Sequence, residues 1–377
     1  MFKVTFSFED GSMVETFANA GDNLLEVARS ANVAIDAPCS GNGACGKCRV
    51  QLKSGELESK KTLHISDEEY QAGWRLSCCS KISADVNVLV PDIASAYKSR
   101  MKVADLSSKE EIAIFENAKS DIQLAGIELK NSLEVVDVLM DVPSLDDTMP
   151  DNERLTRALR KYLNINRVRI PYVVLKKLPD VLRENNFAVK CVIRATSDDM
   201  YVYDIFGKDE DVIIGGLAID IGTTTVSAVL INMENGEILA KSSAGNGQIR
   251  FGADVINRIV ESQKPGGQKK LQDAVIKETI NPMIHEMCKS AKFSKDHIYR
   301  MCVASNTTMN HLFAGINADP LRTEPYIPAF FKTNSLFASD VGVDINKDAH
   351  IIMAPNIGSY VGGDITAGTL VSQIWNR

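Results

Sequence analysis

The sequence lacks the features that direct a chain to a membrane, a secretory route or a polyanion. No apolar run is long enough to cross a bilayer, and the first residues, MFKVTFSFEDG, resemble a β-strand rather than a charged leader followed by an apolar stretch. The 42 lysines and arginines do not outnumber the 49 aspartates and glutamates, so a net charge of −7 offers no general attraction to nucleic acid or anionic lipid. We therefore expect a cytoplasmic protein that binds neither nucleic acid nor membranes.

Internal repeats and low-complexity tracts are also lacking, and the composition is ordinary for a folded protein, with 45% hydrophobic and 24% charged residues. The 377 residues exceed what one hydrophobic core normally organises. We therefore expect two or three domains, built from α+β and α/β units.

The N-terminal region has the element order of a β-grasp domain over residues 1–92. The strands FKVTFSF and MVETF alternate around Glu9-Asp10-Gly11, which supplies the residues of a hairpin turn. Asp22 then precedes the amphipathic segment LLEVARSA and is the expected N-cap of a short helix. A loop rich in glycine and cysteine follows, and then the strands CRVQLKSG and VNVLVP.

Two further regions follow before the chain changes character. Residues 93–149 lack a turn-delimited pattern, apart from the helix-like KEEIAIFENA, and we interpret them as a linker. Residues 150–207 combine two helically spaced apolar segments with the strands FAVKCVIRA and MYVYDIF. This pattern predicts a small α+β middle domain, in which nothing indicates a catalytic role.

The eight cysteines do not suggest a disulfide framework. Five of them fall between positions 39 and 79, and without an export signal such a group is better explained by metal ligation. The other three stand singly in apolar surroundings and are expected to be small buried hydrophobes: Cys191, Cys288 and Cys302.

The clustered cysteines have the spacing of a 2Fe–2S site. Cys39-x5-Cys45-x2-Cys48 places three thiolates in one loop, and Cys78 would bring a fourth from a distant segment. The loop residues Gly41, Gly43, Ala44 and Gly46 are small enough to let backbone amides approach the sulfurs. A structural zinc site is the alternative, although zinc sites usually pair two short Cys-x2-Cys segments. The segment RLSC resembles the RLAC of ferredoxins, which favours Cys78 over Cys79 as the fourth ligand.

The third unit, residues 213–377, contains a second motif near its start. Asp220-Ile221-Gly222-Thr223-Thr224-Thr225 lies at the turn between the apolar strands LAIDIG and TTVSAVLIN. Glycine lets the turn close against a phosphate, the threonines can donate hydrogen bonds, and Asp220 can hold Mg²⁺ or a nucleophilic water. An ordinary hairpin with a polar turn is the alternative interpretation.

These residues resemble a known superfamily and, within it, one family. The DIGTTT turn is similar to the first phosphate loop of the ATPases that include acetate and sugar kinases, heat-shock chaperones and actin. Together with the ferredoxin motif, the domain order resembles the reductive activators of corrinoid proteins. Further similar segments are FGADVINRI at 251–259, SNTTMNHLFAGI at 305–316 and VGGDITAG at 361–368.

The resemblance implies a function and a fold for each part. Members use ATP to return a corrinoid, oxidised to Co(II), to Co(I) on a partner protein of a methyltransferase system, with electrons passing from a low-potential donor through the 2Fe–2S cluster. Residues 213–377 would form the first lobe of an actin-like, ribonuclease H-like ATPase domain, and a homodimer is compatible with this family. The cluster ligands would be Cys39, Cys45, Cys48 and Cys78.

The resemblance also assigns roles around the nucleotide. Asp220 would be catalytic, and the residues at the phosphates, with Mg²⁺, would be Gly222, Thr223, Thr224, Thr225 and Asp364. Asn306 and Thr307 lie in matching motifs with less certain roles, and His311 is interpreted as structural.

One departure from the family pattern bears on activity. A second Asp-Ile-Gly-Thr-like turn and a glycine-rich adenosine segment are absent from the sequence, and VGGDITAGTLVSQIW resembles the helix that leads to the second lobe. We therefore expect the N-terminal part of a longer activator, whose ATP turnover on its own is open. The alternative functions are a ferredoxin-type electron carrier without ATPase activity and, less favoured, a small-molecule kinase with an attached ferredoxin.

Overall fold

The computed structural model describes most of the chain: residues 1–8, 11, 13–31, 33, 35, 37, 43, 46–91, 109–127, 132–163, 165–252, 254–333 and 335–374. Three sheets of four or five strands organise it, and each corresponds to one of the expected units. Within these residues, no helix combines the length and the apolar character needed to span a membrane.

The first sheet confirms the predicted β-grasp arrangement. Its strand order is β2-β1-β7-β3-β5, with β1 and β7 parallel and the other pairs antiparallel. Helix α1 buries its apolar side chains in the core under this sheet. The elements are β1 (Phe2–Phe8), β2 (Met13–Ala18), α1 (Leu24–Ser30), β3 (Arg49–Ser54), β4 (Leu57–Ser59), α2 (Asp67–Gln71), β5 (Trp74–Leu76), β6 (Ser80–Ile82) and β7 (Val86–Val90).

The N-cap of α1 differs from the expected residue. Asn23, not Asp22, accepts hydrogen bonds from the backbone amides of Leu25 and Glu26. Asp22 instead accepts a hydrogen bond from the amide of Asn19 and so closes the preceding turn. Both residue types are good caps, so the choice depends on where the chain turns into the helix.

The middle unit is a four-stranded sheet in the order β8-β10-β11-β9, with two helices packed on it. Its elements are β8 (Leu133–Leu139), α4 (Asp151–Leu163), β9 (Arg167–Arg169), α5 (Tyr172–Glu184), β10 (Ala188–Ala195) and β11 (Asp199–Gly207). The helix predicted within KEEIAIFENA is present as α3 (Lys109–Leu124).

The predicted linker over 93–149 requires one correction. Residues Leu133–Leu139 form β8, which pairs antiparallel with β10 from Leu133↔Arg194 to Leu139↔Ala188. Backbone pairing with a partner about fifty positions away therefore recruits this stretch into the middle sheet, and the other domain boundaries stay predictions.

The third sheet has the order β14-β13-β12-β15-β16, in which β12, β13 and β14 are antiparallel and β12, β15 and β16 are parallel. The elements are β12 (Gly215–Ile221), β13 (Thr225–Asn232), β14 (Ile238–Gly245), α6 (Val255–Ser262), α7 (Gly267–Val275), α8 (Asn281–Ala291), β15 (Ile298–Ser305), α9 (Thr307–Ala314), α10 (Ala338–Val341), β16 (His350–Met353) and α11 (Gly363–Ser372). A π-helical turn, Ile276–Ile280, joins α7 to α8.

The two faces of this third sheet differ, and the difference positions the candidate nucleotide site. Side chains such as Leu217, Ile219 and Ile221 alternate onto the face that is covered by helices and are buried. The opposite face carries Asp220 and small side chains, and α11 lies over part of it. Asp220 therefore projects from the uncovered face at the end of β12.

The middle unit and the third unit share an apolar interface. Val192, Tyr203 and Phe206 of the middle sheet pack with Ile214 and Tyr299 of the third unit, all at most 7% exposed. Two polar contacts flank this core, between Arg194 Nη1 and His350 Nε2 at 3.0 Å and from Arg300 to the Ser132 hydroxyl at 2.9 Å.

Candidate cluster site and phosphate hairpin

The strand pairing of the first sheet brings two of the predicted cluster ligands together. Cys48 directly precedes β3, and Cys78 lies in the short helical turn that follows β5. Because Arg49 pairs with Leu76 and the Ser77 amide donates to the Cys48 carbonyl at 2.8 Å, the two cysteines meet at one end of the ladder. Their sulfur atoms are 3.1 Å apart, and both residues are buried.

Contact between the two thiols changes their acidity. A hydrogen bond with the Cys78 side chain lowers the pKa of Cys48 to about 6. The same contact raises the pKa of Cys78. The lowered pKa of Cys48 favours its thiolate, which is the form that binds metal. Soft, buried, unbridged sulfurs held at contact distance by two separate segments fit the donor set of an iron–sulfur cluster.

The remaining cysteines of the motif can be placed only in part. Cys39 and Cys45 lie outside the residues that the structure describes. The sulfur of Cys79 is 3.6 Å from that of Cys78, and a Cβ atom on Gly43 would lie 3.2 Å from the Cys79 sulfur. Cys79 thus lies beside Gly43 of the loop, and the direct sulfur contact of Cys78 with Cys48 favours Cys78 as the fourth ligand.

Close packing around the loop explains part of its glycine content. Gly46 has φ of +67°, in the left-handed region, and a Cβ atom there would lie 2.6 Å from the His64 side chain. On the other side of the site, the Asn23 side chain donates to the Cys78 carbonyl at 2.8 Å while it caps α1. A helix end and a tight loop therefore fix the two ligand segments.

The phosphate motif forms the turn between β12 and β13. The Gly222 amide donates to the Thr225 carbonyl at 2.9 Å, and a Cβ atom on Gly222 would lie only 2.7 Å from that oxygen. Within the described part of the chain, the hydroxyls of Thr223, Thr224 and Thr225 have no hydrogen-bond partner in the protein. They are therefore free to donate to a ligand at the turn.

Two carboxylates influence each other beside this turn. Burial raises the pKa of Asp220, and the negative charge of Asp364 raises it further. Asp364 lies in the first turn of α11, whose start is packed so closely on α9 that a Cβ atom on Gly362 would lie 2.4 Å from the Asn306 Cα. A pair of neighbouring carboxylates suits a divalent cation, although no third acidic, histidine or cysteine side chain joins them among the described residues.

The less certain candidates from the sequence serve the protein's own structure. Asn306 is the N-cap of α9, and the Thr307 hydroxyl donates to the Gly358 carbonyl at 2.6 Å. His311 is fully buried; its Nδ1 bonds the Thr307 carbonyl at 2.8 Å, and its Nε2 accepts from the Ala329 amide at 3.0 Å. Burial lowers the pKa of His311, which keeps the ring neutral. This agrees with the structural interpretation of His311.

A cavity of about 430 Å³ adjoins Asp220 on the uncovered face of the third sheet. Its lining is mostly small and apolar, with contributions from β12, β13, β15, β16 and α11: Ala218, Asp220, Ser227, Cys302, Ala304 and Ala367 are among the lining residues. The cavity is open to solvent, and Cys302 is exposed in it. The prediction that Cys302 is buried is therefore wrong, because alternation along β15 places it on the face opposite the helix-covered core.

Sequence reasoning misses the residues that support the phosphate turn from behind. Asn246 and Arg258 both bond to backbone carbonyls of that turn. Arg258 lies in the segment FGADVINRI, whose family resemblance assigns no role to it. An arginine on the apolar side of an amphipathic helix could have indicated a buried polar contact. No sequence spacing, however, predicts that Arg258 contacts residue 223.

Three family profiles match consecutive parts of the chain. The profile described as a 2Fe-2S iron-sulfur cluster binding domain matches residues 7–83. Those described as the RACo linker region and the RACo middle region match residues 122–212 and 215–377. The chain therefore carries a 2Fe–2S ferredoxin-type domain followed by these two regions.

Individual relatives extend this result. The chain is 27% identical over 346 residues to the corrinoid activation enzyme RamQ of Eubacterium limosum, which covers 91% of this chain and 51% of that protein. A solved structure titled "Reductive activator for corrinoid,iron-sulfur protein" matches with a TM-score of 0.59 and 31% identity, over 100% of this chain and 58% of that one. A third match, to a component of the Na(+)-translocating NADH-quinone reductase of Actinobacillus succinogenes, is 35% identical over 91 residues, or 24% of this chain and 22% of that protein.

The predicted resemblance to reductive activators of corrinoid proteins is thereby confirmed, together with the multidomain fold and the 2Fe–2S cofactor. The first two of these matches cover nearly all of this chain. The chain nevertheless spans only about half the length of either protein.

Proposed function

We propose that this chain, with the ferredoxin, linker and middle regions of the reductive activators, passes electrons to a corrinoid protein under the control of ATP. The corrinoid, at Co(II), would be returned to Co(I) on a partner protein of a methyltransferase system in the cytoplasm. A low-potential donor would supply the electrons. The similarity to RamQ over 91% of this chain supports the assignment.

One observation carries the proposal: a thiol pair in a ferredoxin fold and the glycine- and threonine-containing turn of residues 222–225, in a five-stranded mixed sheet, belong to the same polypeptide. Cys48 and Cys78, with Cys39 and Cys45 from the same motif, would hold the cluster. When bound, a 2Fe–2S cluster supplies one-electron transfer. The protein's own part is to bury the ligands and to fix them from two segments of the β-grasp sheet.

The nucleotide site is proposed at the end of β12. The unpartnered hydroxyls of Thr223, Thr224 and Thr225 would donate to phosphate oxygens, and Gly222 lets the turn close beside them. Asp220 and Asp364 would hold Mg²⁺, whose charge would relieve their mutual repulsion. Asp220 is the residue that we would expect to orient the attacking water in ATP hydrolysis.

ATP is needed because Co(II) reduction is uphill for a ferredoxin-type donor. A nucleotide shifts a conformational equilibrium only by its difference in affinity for two states. The start of α11 carries Asp364. Its other end borders α3, a helix within the predicted linker after the ferredoxin domain, through Val371 and Ile114. Helix α11 therefore connects the phosphate turn with α3, and a change at the phosphates could reach the linker to the ferredoxin domain through it.

The experiment is the reduction of a purified Co(II) corrinoid protein, followed by absorbance, with the reconstituted chain and excess low-potential reductant. We expect Co(I) to form faster with Mg-ATP than without it, and Cys48→Ser to remove the reaction. Cys288→Ser, a substitution in α8 at a cysteine outside the motif and outside the cavity beside Asp220, is the matched control and should leave the rate unchanged.

Two results would contradict the proposal in different ways. Equal rates with and without Mg-ATP, together with no heat of Mg-ATP binding in calorimetry, would contradict control by ATP. The chain would then act as a ferredoxin-type electron carrier without ATPase activity. Absence of Co(I) under every condition, with an intact and reducible cluster, would contradict the corrinoid protein as electron acceptor.

A further inference from the structure

Three successive carbonyl groups of the phosphate turn are bonded from behind by the same two residues. The Asn246 side chain donates to the Gly222 carbonyl at 2.8 Å, and its backbone amide donates to the Thr224 carbonyl at 2.8 Å. The Arg258 guanidinium donates to the Thr223 carbonyl that lies between them. These three acceptors of the turn are therefore directed into the protein.

The two donors belong to one buried polar layer. Asn246 is 1% exposed, and Gln248 and Arg258 are 0% exposed. Arg258 donates to the Gln248 side chain at 3.2 Å and to the Gly252 carbonyl at 2.8 Å, and Gln248 is in turn anchored on the Leu271 carbonyl at 2.8 Å. This layer ties the turn to α6 and α7.

Arg258 also brings a charge to the turn that no direct ion pair neutralises among the described residues. Burial lowers the pKa of Arg258, and the charge of Asp254, the N-cap of the same helix, opposes that shift. The other fully buried arginine, Arg154, has its own carboxylate partner, Asp147, at 2.7 Å. Burying a cation without a counter-ion is costly, and here hydrogen bonds to carbonyl oxygens, among them that of Thr223, offset part of the cost.

We propose that Arg258, with Asn246, is the positioning residue of the phosphate turn and that its charge favours a polyphosphate anion on the opposite side. By holding the carbonyls of residues 222–224 inward, the pair leaves the turn's hydroxyls to face the ligand. The cation behind the turn offsets part of the phosphate charge in a region that water does not reach. The inference deepens the proposed nucleotide site and rests on it for the identity of the ligand.

The test compares Arg258→Met, Arg258→Lys and the control Arg154→Lys by calorimetry with Mg-ATP and with AMP. Methionine keeps the length of the side chain and removes both its charge and its donors, and a melting curve of each variant shows whether it is folded before the titration. We expect Arg258→Met to weaken Mg-ATP binding about tenfold or more, with little change for AMP. Arg258→Lys, which keeps the charge but not the forked donors, should lose less, and Arg154→Lys should bind as the wild type does.

Amide hydrogen exchange of residues 221–226 supplies a readout that does not require a nucleotide. We expect faster exchange there in both Arg258 variants and not in Arg154→Lys, because only the former release the turn. If Mg-ATP does not bind to the wild-type chain, the proposed nucleotide site fails, but exchange still tests the positioning. Unchanged exchange in the Arg258 variants, or an equal loss of Mg-ATP and AMP affinity, would overturn the inference.

Discussion

The sulfur atoms of Cys48 and Cys78 lie 3.1 Å apart, although 30 positions separate the two residues in the chain. Pairing of β3 with β5 produces this distance, since Cys48 and Cys78 extend from the same end of that ladder. The ligand geometry is thus a property of the backbone fold and not only of the cysteine loop. It follows that the site can be tested by single substitutions without dismantling the sheet.

Serine at Cys48 or Cys78 should prevent cluster assembly, whereas serine at Cys79 should leave it intact. An alcohol is a poor ligand where iron requires a thiolate. Cys78 contacts the Cys48 sulfur directly, whereas Cys79 lies beside Gly43 of the loop. The measurement is bound iron and visible absorbance after anaerobic reconstitution. Retention of the cluster in Cys78→Ser, with loss in Cys79→Ser, would reverse the ligand assignment.

Alanine at Gly46 should disturb the cluster loop by two separate effects. A residue with a side chain resists φ of +67°, at about 1–2 kcal/mol, and the added Cβ atom would collide with His64 at 2.6 Å. Gly21→Ala is the matched control, because Gly21 has φ of +86° but nothing within 4 Å of an added Cβ. Thermal unfolding should therefore show a larger loss for Gly46→Ala.

The collision can be separated from the backbone strain. Adding His64→Gly to Gly46→Ala should restore part of the lost stability, because glycine also removes the His64 Cβ that the added methyl group would meet, whereas adding it to Gly21→Ala should not. An equal effect of His64→Gly in both backgrounds would show that the contact is irrelevant.

Stability of the third unit should fall as the pH drops below about 6.5, because unfolding then takes up protons. Burial lowers the pKa of His350, and the neighbouring Arg194 and Arg300 lower it further. Burial lowers the pKa of His311 as well. A histidine whose pKa is lowered by folding does not reduce the free energy of unfolding at pH values above its unfolded-state pKa. As the pH falls from the unfolded-state pKa to the folded-state pKa, the free energy of unfolding decreases progressively.

The measurement is the free energy of unfolding in urea between about pH 5 and 8, the range in which histidine side chains change their charge. His350→Asn should make the slope shallower by removing one of the two groups. NMR of His311 should show the neutral ring with its proton on Nδ1, since Nε2 accepts from the Ala329 amide. A slope that is unaffected by His350→Asn would contradict the account of that residue.

The substitution Asp220→Asn should raise the melting temperature of the free protein and abolish the increase in melting temperature that Mg-ATP produces. The carboxylate is disfavoured by burial and by Asp364, so neutralising it removes a repulsion that only a bound cation would otherwise relieve. The side chain is partly exposed, so the gain should stay below about 1 kcal/mol. Melting temperatures with and without Mg-ATP check both parts.

Asp364→Asn is the reciprocal variant for this prediction. If the two carboxylates repel each other, the double variant should gain less than the sum of the single gains. Additive gains would mean that the two side chains do not interact.

Much of the fold follows from the sequence because its elements are locally specified. The hairpin Phe2–Phe8 with Met13–Ala18 has its alternation and turn residues side by side, and the β12–β13 hairpin likewise. β8 is not recognisable in this way, because the stretch Leu133–Leu139 is an edge strand that is defined by pairing with β10 far along the chain. Strand formation of this kind is a tertiary effect.

The candidate sites divide in the same way. Cysteine spacing and the DIGTTT turn identify residues whose chemistry is visible in their type. Asn246 and Arg258 act through carbonyl groups of other residues, so neither residue type nor spacing points to them. Likewise, Asn306 matches a motif but serves as a helix cap.

The account depends most directly on a 2Fe–2S cluster bound by these cysteines. The decisive measurement is the ratio of acid-labile sulfide to iron in the anaerobically reconstituted chain, with electron paramagnetic resonance after reduction by dithionite. We expect about two irons and two sulfides per chain and a single-electron signal that Cys48→Ser abolishes. Bound metal without labile sulfide, or a signal that survives in Cys48→Ser, would contradict the account.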